Sequence, residues 1–150
     1  MNMLMEIRLL AERDEALLAN VDPGVFDHDV QPQLVSAFLA DPRHHVVAAL
    51  EGGQVIGFVS AVDYIHPDKL PELWINEVSV AASHRRRGLA KQMLAAMFEH
   101  ARSRGCRQAW VLTERSNAAA LNLYQAAGGV EPPDEIVMFE FQIAGSASDT

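Results

Sequence analysis

The sequence has a single cysteine, Cys106, and no apolar run that approaches the ~18 residues of a membrane span. A lone thiol has no partner within the chain, so an intramolecular disulfide is excluded. The missing apolar run predicts a soluble, cytoplasmic protein. The 150 residues, of which 49% are hydrophobic and 21% charged, fit one globular domain. We therefore expect a single domain over residues 1–150 that needs no structural metal, with a disordered tail from Gly145 to Thr150.

Positive charge is scarce overall and concentrated in one region. The net charge of −8 argues against nucleic acid as the main partner, because phosphate-backbone binding requires a broad excess of Lys and Arg. Eight of the twelve basic residues nevertheless lie between Arg85 and Arg115, where only Glu99 and Glu114 are acidic. Such a basic zone indicates a protein that holds an anionic ligand there and a cationic ligand elsewhere. Chance clustering on a solvated helix face is the alternative.

Hydrophobic periodicity and turn residues predict the element order β-α-α-β-β-β-α-β-α-β, which is typical of a mixed α/β sheet. The connection from His66 to Pro71 is predicted to be irregular. The predicted elements are the strand Glu6–Leu9, the helix Arg13–Asn20, a helix beginning at Pro32, the hairpin His45–Leu50 and Val55–Tyr64, the strand Leu73–Val80, the helix Gly88–Arg104, the strand Arg107–Leu112, the helix Asn117–Ala127 and the strand Ile136–Ile143.

The loop from Arg85 to Ala90 follows a predicted strand and opens a predicted helix. A helix start leaves backbone N–H groups unpaired and carries the positive end of the helix dipole, so a phosphate group is stabilised there. Gly88 and Ala90 lack bulky side chains, which lets the backbone approach a pyrophosphate closely. An arginine run with one glycine is by itself more typical of a solvated helix start, so the position between strand and helix carries the hypothesis.

In this setting the pattern Arg85-x-x-Gly88-x-Ala90 resembles the Q/R-x-x-G-x-G/A signature of the GNAT (Gcn5-related) N-acetyltransferases. The resemblance covers the order of elements from Met5 to Ile143. It implies an α/β fold with a central, mostly antiparallel sheet, a splayed parallel strand pair and helices on both faces. It also implies acetyl-CoA as cosubstrate and no metal. Ala90 stands where a second glycine is commoner, a change that the motif accepts.

The resemblance assigns the coenzyme to two parts of the chain. In the family, a bulged strand splays from its neighbour and the pantetheine arm lies between them; here the two strands are Trp74–Val80 and Gln108–Leu112. The stretch Val78-Ser79-Val80 would hold the acetyl and pantetheine groups, and the N–H of Val78 would polarise the thioester carbonyl. Backbone N–H groups of the loop would bind the pyrophosphate, and the loop residues are Arg85, Arg86, Arg87, Gly88, Leu89 and Ala90.

Asn117 and Tyr124 are seven residues apart, which places them on one face of a helix. The resemblance implies that Asn117 contacts the pantetheine arm and that Tyr124 lies near the coenzyme sulfur and protonates the departing thiolate. A core aromatic role is the alternative for Tyr124.

Glu77 interrupts a strand that is otherwise rich in apolar residues, so its carboxylate must be paired or solvated. Burial would raise its pKa towards that of a useful general base, which could take a proton from the attacking ammonium directly or through water. Family members often carry a carboxylate in this region. An exposed glutamate on a sheet face is the alternative reading.

A site for cationic amines benefits from carboxylates that concentrate and orient the substrate. Any one of these acidic residues is more typical of a solvated surface position than of a substrate site. The prediction of a cationic substrate therefore rests on the number of acidic residues. The candidates are Asp27, Asp29, Glu77, Asp134, Glu135 and Glu140.

Three segments, Phe26–Val30, Tyr64–Pro67 and Ile136–Phe141, resemble those of aminoglycoside 3-N-acetyltransferases, which acetylate the 3-amine of the deoxystreptamine ring and inactivate the antibiotic. Two features depart from that group: Glu77 stands where an aspartate is expected, and Pro132-Pro133 forms a turn that is expected to reshape the acceptor rim. Other GNAT acceptors, namely a polyamine, a small metabolite or a protein amino terminus, stay open. A non-catalytic domain that senses acyl-CoA is the alternative from another class.

The mechanism that the resemblance implies is direct transfer, with amine and acetyl-CoA bound together. Glu77 helps to remove the ammonium proton, the amine attacks, and Tyr124 protonates the thiolate. Many family members pair through a sheet edge or the last strand, so the resemblance also implies a homodimer.

Overall fold

The computed structural model describes residues 4–145 and contains one five-stranded sheet in the order β1-β2-β3-β4-β5. Strands β1 to β4 are antiparallel neighbours, and β5 runs parallel to β4. The mixed α/β architecture expected from the sequence is confirmed. The elements are β1 Met5–Leu9, a 3₁₀ helix Glu12–Ala19, α1 Pro32–Ala40, β2 His44–Glu51, β3 Gln54–His66, β4 Lys69–Val80, a 3₁₀ turn Ala82–His84, α2 Leu89–Ser103, β5 Ala109–Val111 and α3 Ala118–Ala126.

Helices cover both faces of the sheet, as neighbouring residues of β3 show. Gly57 faces α2, because a Cβ built on it would lie 3.2 Å from the terminal methyl of Met93. Phe58 faces the other way and lines a cavity together with Val35 of α1. Since successive side chains of a strand point to opposite faces, α1 and α2 lie on opposite sides of the sheet. The core between α2 and the sheet includes Met93 and Met97, which are fully buried.

Strand β4 carries a bulge at Asn76. Ile75 pairs with Ala61 and Glu77 pairs with the next residue of β3, Ser60, so Asn76 is the extra residue of β4. Paired residues of neighbouring strands share a face, so Ile75 points towards α2 with Ala61 and both are buried. Glu77 points towards α1 with Ser60, and both line the same cavity. If Asn76 had a regular place in the ladder, Glu77 would be two positions from Ile75 in a regular strand and would point towards α2 with it.

Strands β4 and β5 stay together for only three residue pairs, from Leu73–Ala109 to Ile75–Val111. Beyond Ile75 the two strands separate, and the separation begins at the bulge. A bulge increases the local twist and bends its strand, which accounts for the divergence. The bulged and splayed strand pair implied by the resemblance is thereby confirmed.

A buried ionic cluster fixes the far end of α2. Asp63 of β3 is 1% exposed and accepts hydrogen bonds from Arg104 Nε at 2.7 Å and from Arg43 Nη1 at 3.0 Å. It also contacts the ring of His45, whose second ring nitrogen lies 3.0 Å from Nε2 of His100. Burial would raise the pKa of Asp63, but the hydrogen bonds from Arg104 and His45 outweigh it, so the pKa is lowered. The cluster ties β2, β3 and the end of α2 together.

Two expectations about the chain's course are wrong. The connection His66 to Pro71 is a tight turn rather than an irregular segment, because His66 pairs with Lys69 and β4 begins there. The strand expected over Ile136–Ile143 is absent from the described residues, where this segment has no ladder partner and is exposed. The first predicted helix is a 3₁₀ helix. The predicted tail beyond Gly145 lies outside the described residues.

Candidate active site

The loop before α2 places three exposed arginines directly before the first turn of a helix. Gly88 is the N-cap of α2, with φ 75° and ψ 12°, and no side chain caps the helix. No acidic residue lies in the first helical turn, so the amides there keep their positive potential. Arg86 also has a left-handed backbone, with φ 64°, which is uncommon for a residue other than glycine and typical of strained functional loops. The loop therefore has the geometry of an anion site.

Space for a ligand lies directly beside this loop. A Cβ built on Gly88 would meet nothing closer than Nε2 of Gln92 at 4.0 Å. Arg85, Arg86 and Arg87 are exposed, and none of them forms an ion pair within residues 4–145. Leu89 is 5% exposed, so its side chain belongs to the core and only its backbone can face a ligand. Ala90 is half-buried in the first turn. His84 positions the loop by contacting Glu51 Oε1 at 3.0 Å.

The cleft between the splayed strands is lined by backbone groups of β4. Ala81 N–H donates to Ile56 O at 2.8 Å, so Ala81 turns its backbone towards β3. Backbone groups alternate in direction along an antiparallel pair, so those of Val80 and Val78 face away from β3, where β5 has diverged. Consistently, Val80 O accepts a hydrogen bond from Arg85 Nε at 3.2 Å. Ser79 instead donates its hydroxyl to Val25 O at 2.7 Å, which ties the loop before α1 to β4.

Helix α3 carries Tyr124 beside the second strand of the cleft. Tyr124 is half-buried and lines a cavity of about 400 Å³ together with Val111 and Leu121. Burial raises the pKa of its hydroxyl, which therefore carries its proton at neutral pH. The end of α3 is fixed by Gly129 N–H, which donates to Tyr124 O at 2.8 Å, and by Gly128 N–H, which donates to Gln125 O at 3.0 Å. This arrangement positions a proton donor at the cavity.

Asn117 stands at the start of α3, seven residues before Tyr124. It is the N-cap of the helix, and its Oδ1 accepts the N–H of Ala120 at 3.0 Å. The sequence prediction counted it as a residue within the helix. The missed signal was local, because asparagine is among the preferred N-cap residues. Its Nδ2 can still donate to a ligand.

A second cavity, of about 420 Å³, collects carboxylates on the α1 side of the sheet. Glu77, Asp27 and Asp29 line it. Phe26 and Phe58 stack against each other there with ring centroids 4.1 Å apart, and both line the cavity. The cavity thus combines an apolar wall with acidic groups, which suits a ligand that carries ammonium groups on a carbon framework.

Burial is the largest cause that raises the pKa of Glu77, and the neighbouring Asp27 raises it further through its charge and a hydrogen bond. His28 acts in the opposite direction. A carboxyl group with a raised pKa is a better proton acceptor at neutral pH than an ordinary glutamate. Glu77 is thus a half-buried carboxyl group with a raised pKa, rather than a freely solvated glutamate.

The remaining acidic candidates lie elsewhere. Asp134 and Glu135 line the cavity of Tyr124, and Glu140 is exposed on the segment after it and lines neither cavity. The structure therefore brings together Asp27, Asp29 and Glu77, and separately Tyr124, Asp134 and Glu135. The stacked pair of Phe26 and Phe58 was missed by sequence reasoning, since no local pattern reports a contact between residues 32 positions apart.

No group of three or more His, Cys, Asp or Glu side chains within residues 4–145 has the geometry of a metal site. No helix among residues 4–145 has both the length and the apolar content that a membrane crossing requires.

A sequence model of the acetyltransferase (GNAT) family matches residues 6–128. The chain is 30% identical over 95 residues to aminoglycoside N(6')-acetyltransferase type 1 of Salmonella typhimurium, a match that covers 61% of this chain and 65% of that protein. It is 32% identical over 81 residues to N-acetyltransferase family 8 member 2 of Rattus norvegicus, covering 53% and 36%. The chain thus spans between about a third and two thirds of the length of these curated relatives.

Similar solved structures cover nearly the whole chain. Aminoglycoside N-acetyltransferase AAC(6')-Iy, solved in complex with CoA, has 26% identity and a TM-score of 0.74, covering 96% of this chain and 98% of that one. An aminoglycoside acetyltransferase from an uncultured soil metagenomic sample, solved with trehalose, has a TM-score of 0.81 at 18% identity, covering 93% and 97%. At that identity the likeness concerns the fold.

Proposed function

The chain belongs to the acetyltransferase (GNAT) family, and from this premise we propose that it transfers the acetyl group of acetyl-CoA to a primary amine of an aminoglycoside. The binding of acetyl-CoA is proposed from the divergence of β4 from β5 beside the uncapped start of α2. The binding of the amine is proposed from the acidic cavity of Glu77, Asp27 and Asp29.

The residues of the donor site fit the coenzyme. The start of α2 has no capping side chain and open space lies beside Gly88, so the backbone N–H groups of Arg86 to Ala90 are proposed to bind the pyrophosphate. The exposed guanidinium groups of the loop add attraction for the anion. The outward backbone groups of Val78 and Val80 provide hydrogen bonds for an amide-bearing arm, and the Nδ2 group of Asn117 adds a donor at the start of α3. Ser79 contributes by fixing the neighbouring loop to β4.

Glu77 accepts a proton from the acceptor ammonium, either directly or through a water molecule, and so supplies the neutral amine that attacks. The N–H of Val78 donates to the thioester oxygen on which negative charge develops. As the new C–N bond forms and the C–S bond breaks, Tyr124 donates its proton to the departing thiolate. A hydroxyl that keeps its proton at neutral pH is suited to that role. No step requires a metal.

The acceptor is proposed from two observations, the acidic residues of the cavity and the similarity to aminoglycoside acetyltransferases. Asp27, Asp29 and Glu77 suit a polycation, and Phe26 and Phe58 provide an apolar wall for a ring. The names of two of the four relatives quoted above refer to the 6' amine. The 3-amine expected from the sequence stays a prediction, and the 6' amine must be tested beside it. Asp134, Glu135 and Glu140 are proposed as an outer acidic rim.

The test uses two antibiotics that differ at one group. Neomycin carries an amine at position 6' and paromomycin carries a hydroxyl there, while both keep the 3-amine. Release of free CoA is measured with each, and the product is mapped by NMR. Turnover of both indicates the 3-amine or another shared amine, and turnover of neomycin alone indicates the 6' amine.

Spermidine and a short peptide are measured in parallel, and CoA binding is followed by calorimetry. Binding of CoA without turnover of any aminoglycoside would overturn the acceptor proposal while leaving the donor site intact. Turnover of spermidine or the peptide alone would assign a different amine. Failure to bind CoA would overturn the donor proposal. CoA binding without turnover of any amine would indicate an acyl-CoA sensor.

A further inference from the structure

The sheet face that continues from Glu77 along β3 and β4 is only partly covered. Leu73, which points towards α2, is 0% exposed. On the opposite face, every residue from the pair of Ser60 and Glu77 to the pair of Tyr64 and Glu72 is half-buried. Among the described residues, α1 packs on β2 and on the 3₁₀ helix before it, so its cover ends before this part of the sheet. A surface next to the proposed base thus stays open to a ligand.

Two stacked tryptophans occupy the centre of this open surface. Trp74 of β4 pairs with Trp110 of β5, and their ring centroids lie 5.3 Å apart with 11° between the ring planes. Tyr64 of β3 reaches across β4, and its hydroxyl accepts a hydrogen bond from Trp110 Nε1 at 3.1 Å. All three side chains are half-buried, so their neighbours hold them in place while part of each ring faces solvent. We call these three residues the aromatic platform.

The aromatic platform begins one step along the sheet from Glu77. Glu77 pairs with Ser60, and Trp74 pairs with Val62, two residues further along β3. Two residues of a strand span about 7 Å, which is comparable with the width of one sugar ring. Glu77 and Trp74 also point to the same face, because the bulge at Asn76 lies between them. A substrate with one ring at Glu77 would therefore place the next ring over the platform.

The charges around the aromatic platform suit a cation. Carboxylates stand at both of its ends, Glu77 at one and Glu72 at the other, about 13 Å apart by their register with β3. Lys69 is the cation beside Glu72, and its Nζ lies 3.9 Å from the carboxylate in a loose ion pair. The face of an indole ring also attracts an ammonium group. The surface therefore combines stacking with attraction for positive charge.

We propose that the aromatic platform binds the second ring of the amine substrate, namely the ring bonded to the one whose amine is held at Glu77. The apolar face of this ring stacks on the indoles, and its ammonium groups lie over them. The hydroxyl hydrogen of Tyr64 has no acceptor among residues 4–145 and is donated to a polar group of the ring. This inference rests on the proposed function, because it extends the acceptor site. The platform then favours amines on linked rings over linear polyamines, which have no face to stack.

The first experiment uses the fact that Trp74 and Trp110 are the only tryptophans of the chain, so all indole emission reports the aromatic platform. The full chain with CoA bound is titrated with neomycin, and binding is measured in parallel by calorimetry. We expect a saturable change of emission with the calorimetric dissociation constant. Binding without any change of emission overturns the inference and leaves the proposed function in place. Absence of both binding and turnover of neomycin overturns the two together.

The same emission shows whether another surface already covers the aromatic platform. Acrylamide should quench the emission of the ligand-free chain, and saturating neomycin should protect against quenching. If acrylamide cannot reach the indoles without a ligand, a second copy or another part of the chain covers them, and the inference is wrong.

The second experiment measures turnover of neomycin by Trp74→Leu, Trp110→Leu and Trp74→Phe, the last of which keeps an aromatic face. The leucine variants should raise KM roughly tenfold and leave kcat unchanged, whereas Trp74→Phe should keep most of the affinity. Phe98→Leu is the matched control, because Phe98 is a half-buried aromatic on α2 and lies across the sheet. Calorimetry with CoA checks that each variant is folded. An unchanged KM in both leucine variants, or equal losses in Trp74→Leu and Trp74→Phe, contradicts stacking on the platform.

Discussion

The carboxyl group of Glu77 on β4 lies beside that of Asp27, which comes from the loop before α1. The two residues are 50 positions apart in the chain, and the cavity brings them together. After burial, the charge of Asp27 is the next largest cause that raises the pKa of Glu77. The proposed base is therefore tuned by a residue that also faces the acceptor.

The first prediction concerns the pH dependence of the reaction. Glu77 must be ionised to accept a proton, so activity falls as the pH drops through its pKa. Asp27→Asn removes a neighbouring negative charge, which lowers the pKa of Glu77 and moves the acidic limb of the kcat/KM profile to lower pH. Asp29→Asn is the control, because Asp29 is not among the groups that shift Glu77. A limb that moves equally in both variants would refute the tuning by Asp27.

The second prediction concerns the proton donor. Tyr124→Phe keeps the ring at the cavity and removes the hydroxyl, so kcat should fall by roughly 10²-fold or more, the size of a general-acid contribution. The dissociation constant of CoA, measured by calorimetry, should not change. A thioester whose thiol is more acidic has a better leaving group that needs less protonation. With such a thioester, the Tyr124→Phe variant should therefore regain part of the lost rate. Unchanged kcat would leave Tyr124 as a packing residue.

The third prediction tests the backbone of the anion loop. Gly88→Ala forces a residue with a Cβ into φ 75°, a strain of about 1–2 kcal/mol, although no atom obstructs the methyl group. If the loop relaxes, its amides turn away and CoA binds about tenfold more weakly. Gly53→Ala is a matched control, since Gly53 has φ 81°, open space around it and a position in the β2–β3 turn. Both variants should unfold more easily, but only Gly88→Ala should lose affinity.

The fourth prediction concerns stability and the ionic cluster at the end of α2. Burial is the main cause that lowers the pKa of both His45 and His100, and Arg104 lowers it further. A histidine with a lowered pKa stabilises the fold fully above its unfolded pKa of about 6.5 and loses that contribution as the pH falls. Asp63 keeps its charge in this range, because its pKa is lowered. Burial raises the pKa of the nearby Cys106, which stays neutral.

The free energy of unfolding should therefore be level above pH ~6.5 and decline below it, as measured by denaturant titration at several pH values. His100→Gln should flatten part of this decline. Asp63→Ala should lower the free energy of unfolding by about 1–3 kcal/mol, because it removes the acceptor that Arg43, Arg104 and His45 share. Stability that rises on acidification would contradict the burial of neutral histidines.

The backbone geometry of the loop before α2 could be predicted from the sequence because its determinants are local. Gly88 has a left-handed backbone at the helix start, and the strand and the helix on either side of it are recognisable within a few residues. The acceptor side could not be assembled in the same way. The contact of Asp27 with Glu77 and the stacking of Phe26 on Phe58 depend on how α1 packs on the sheet.

The segment Ile136–Ile143 shows a different limit. Its alternation predicts a strand, but the structure has none there, because a strand exists only where a second strand supplies hydrogen bonds. Asn117 shows a third limit, because spacing alone treated it as a helical position although its side chain favours the cap. The cluster around Asp63 could not be predicted from the sequence, because its members come from β2, β3 and α2.

The extra residue at Asn76 has a consequence for how this enzyme family member can vary. Asn76 is exposed, so almost any side chain can stand there. Its presence, however, supplies the bulge at which β4 bends away from β5. The opening between the two strands is thus encoded by a count of residues and not by an identity. A library of substitutions at position 76 should leave that opening intact, whereas deletion of the one residue should straighten β4 and narrow the opening while Ile75 and Glu77 keep their present faces.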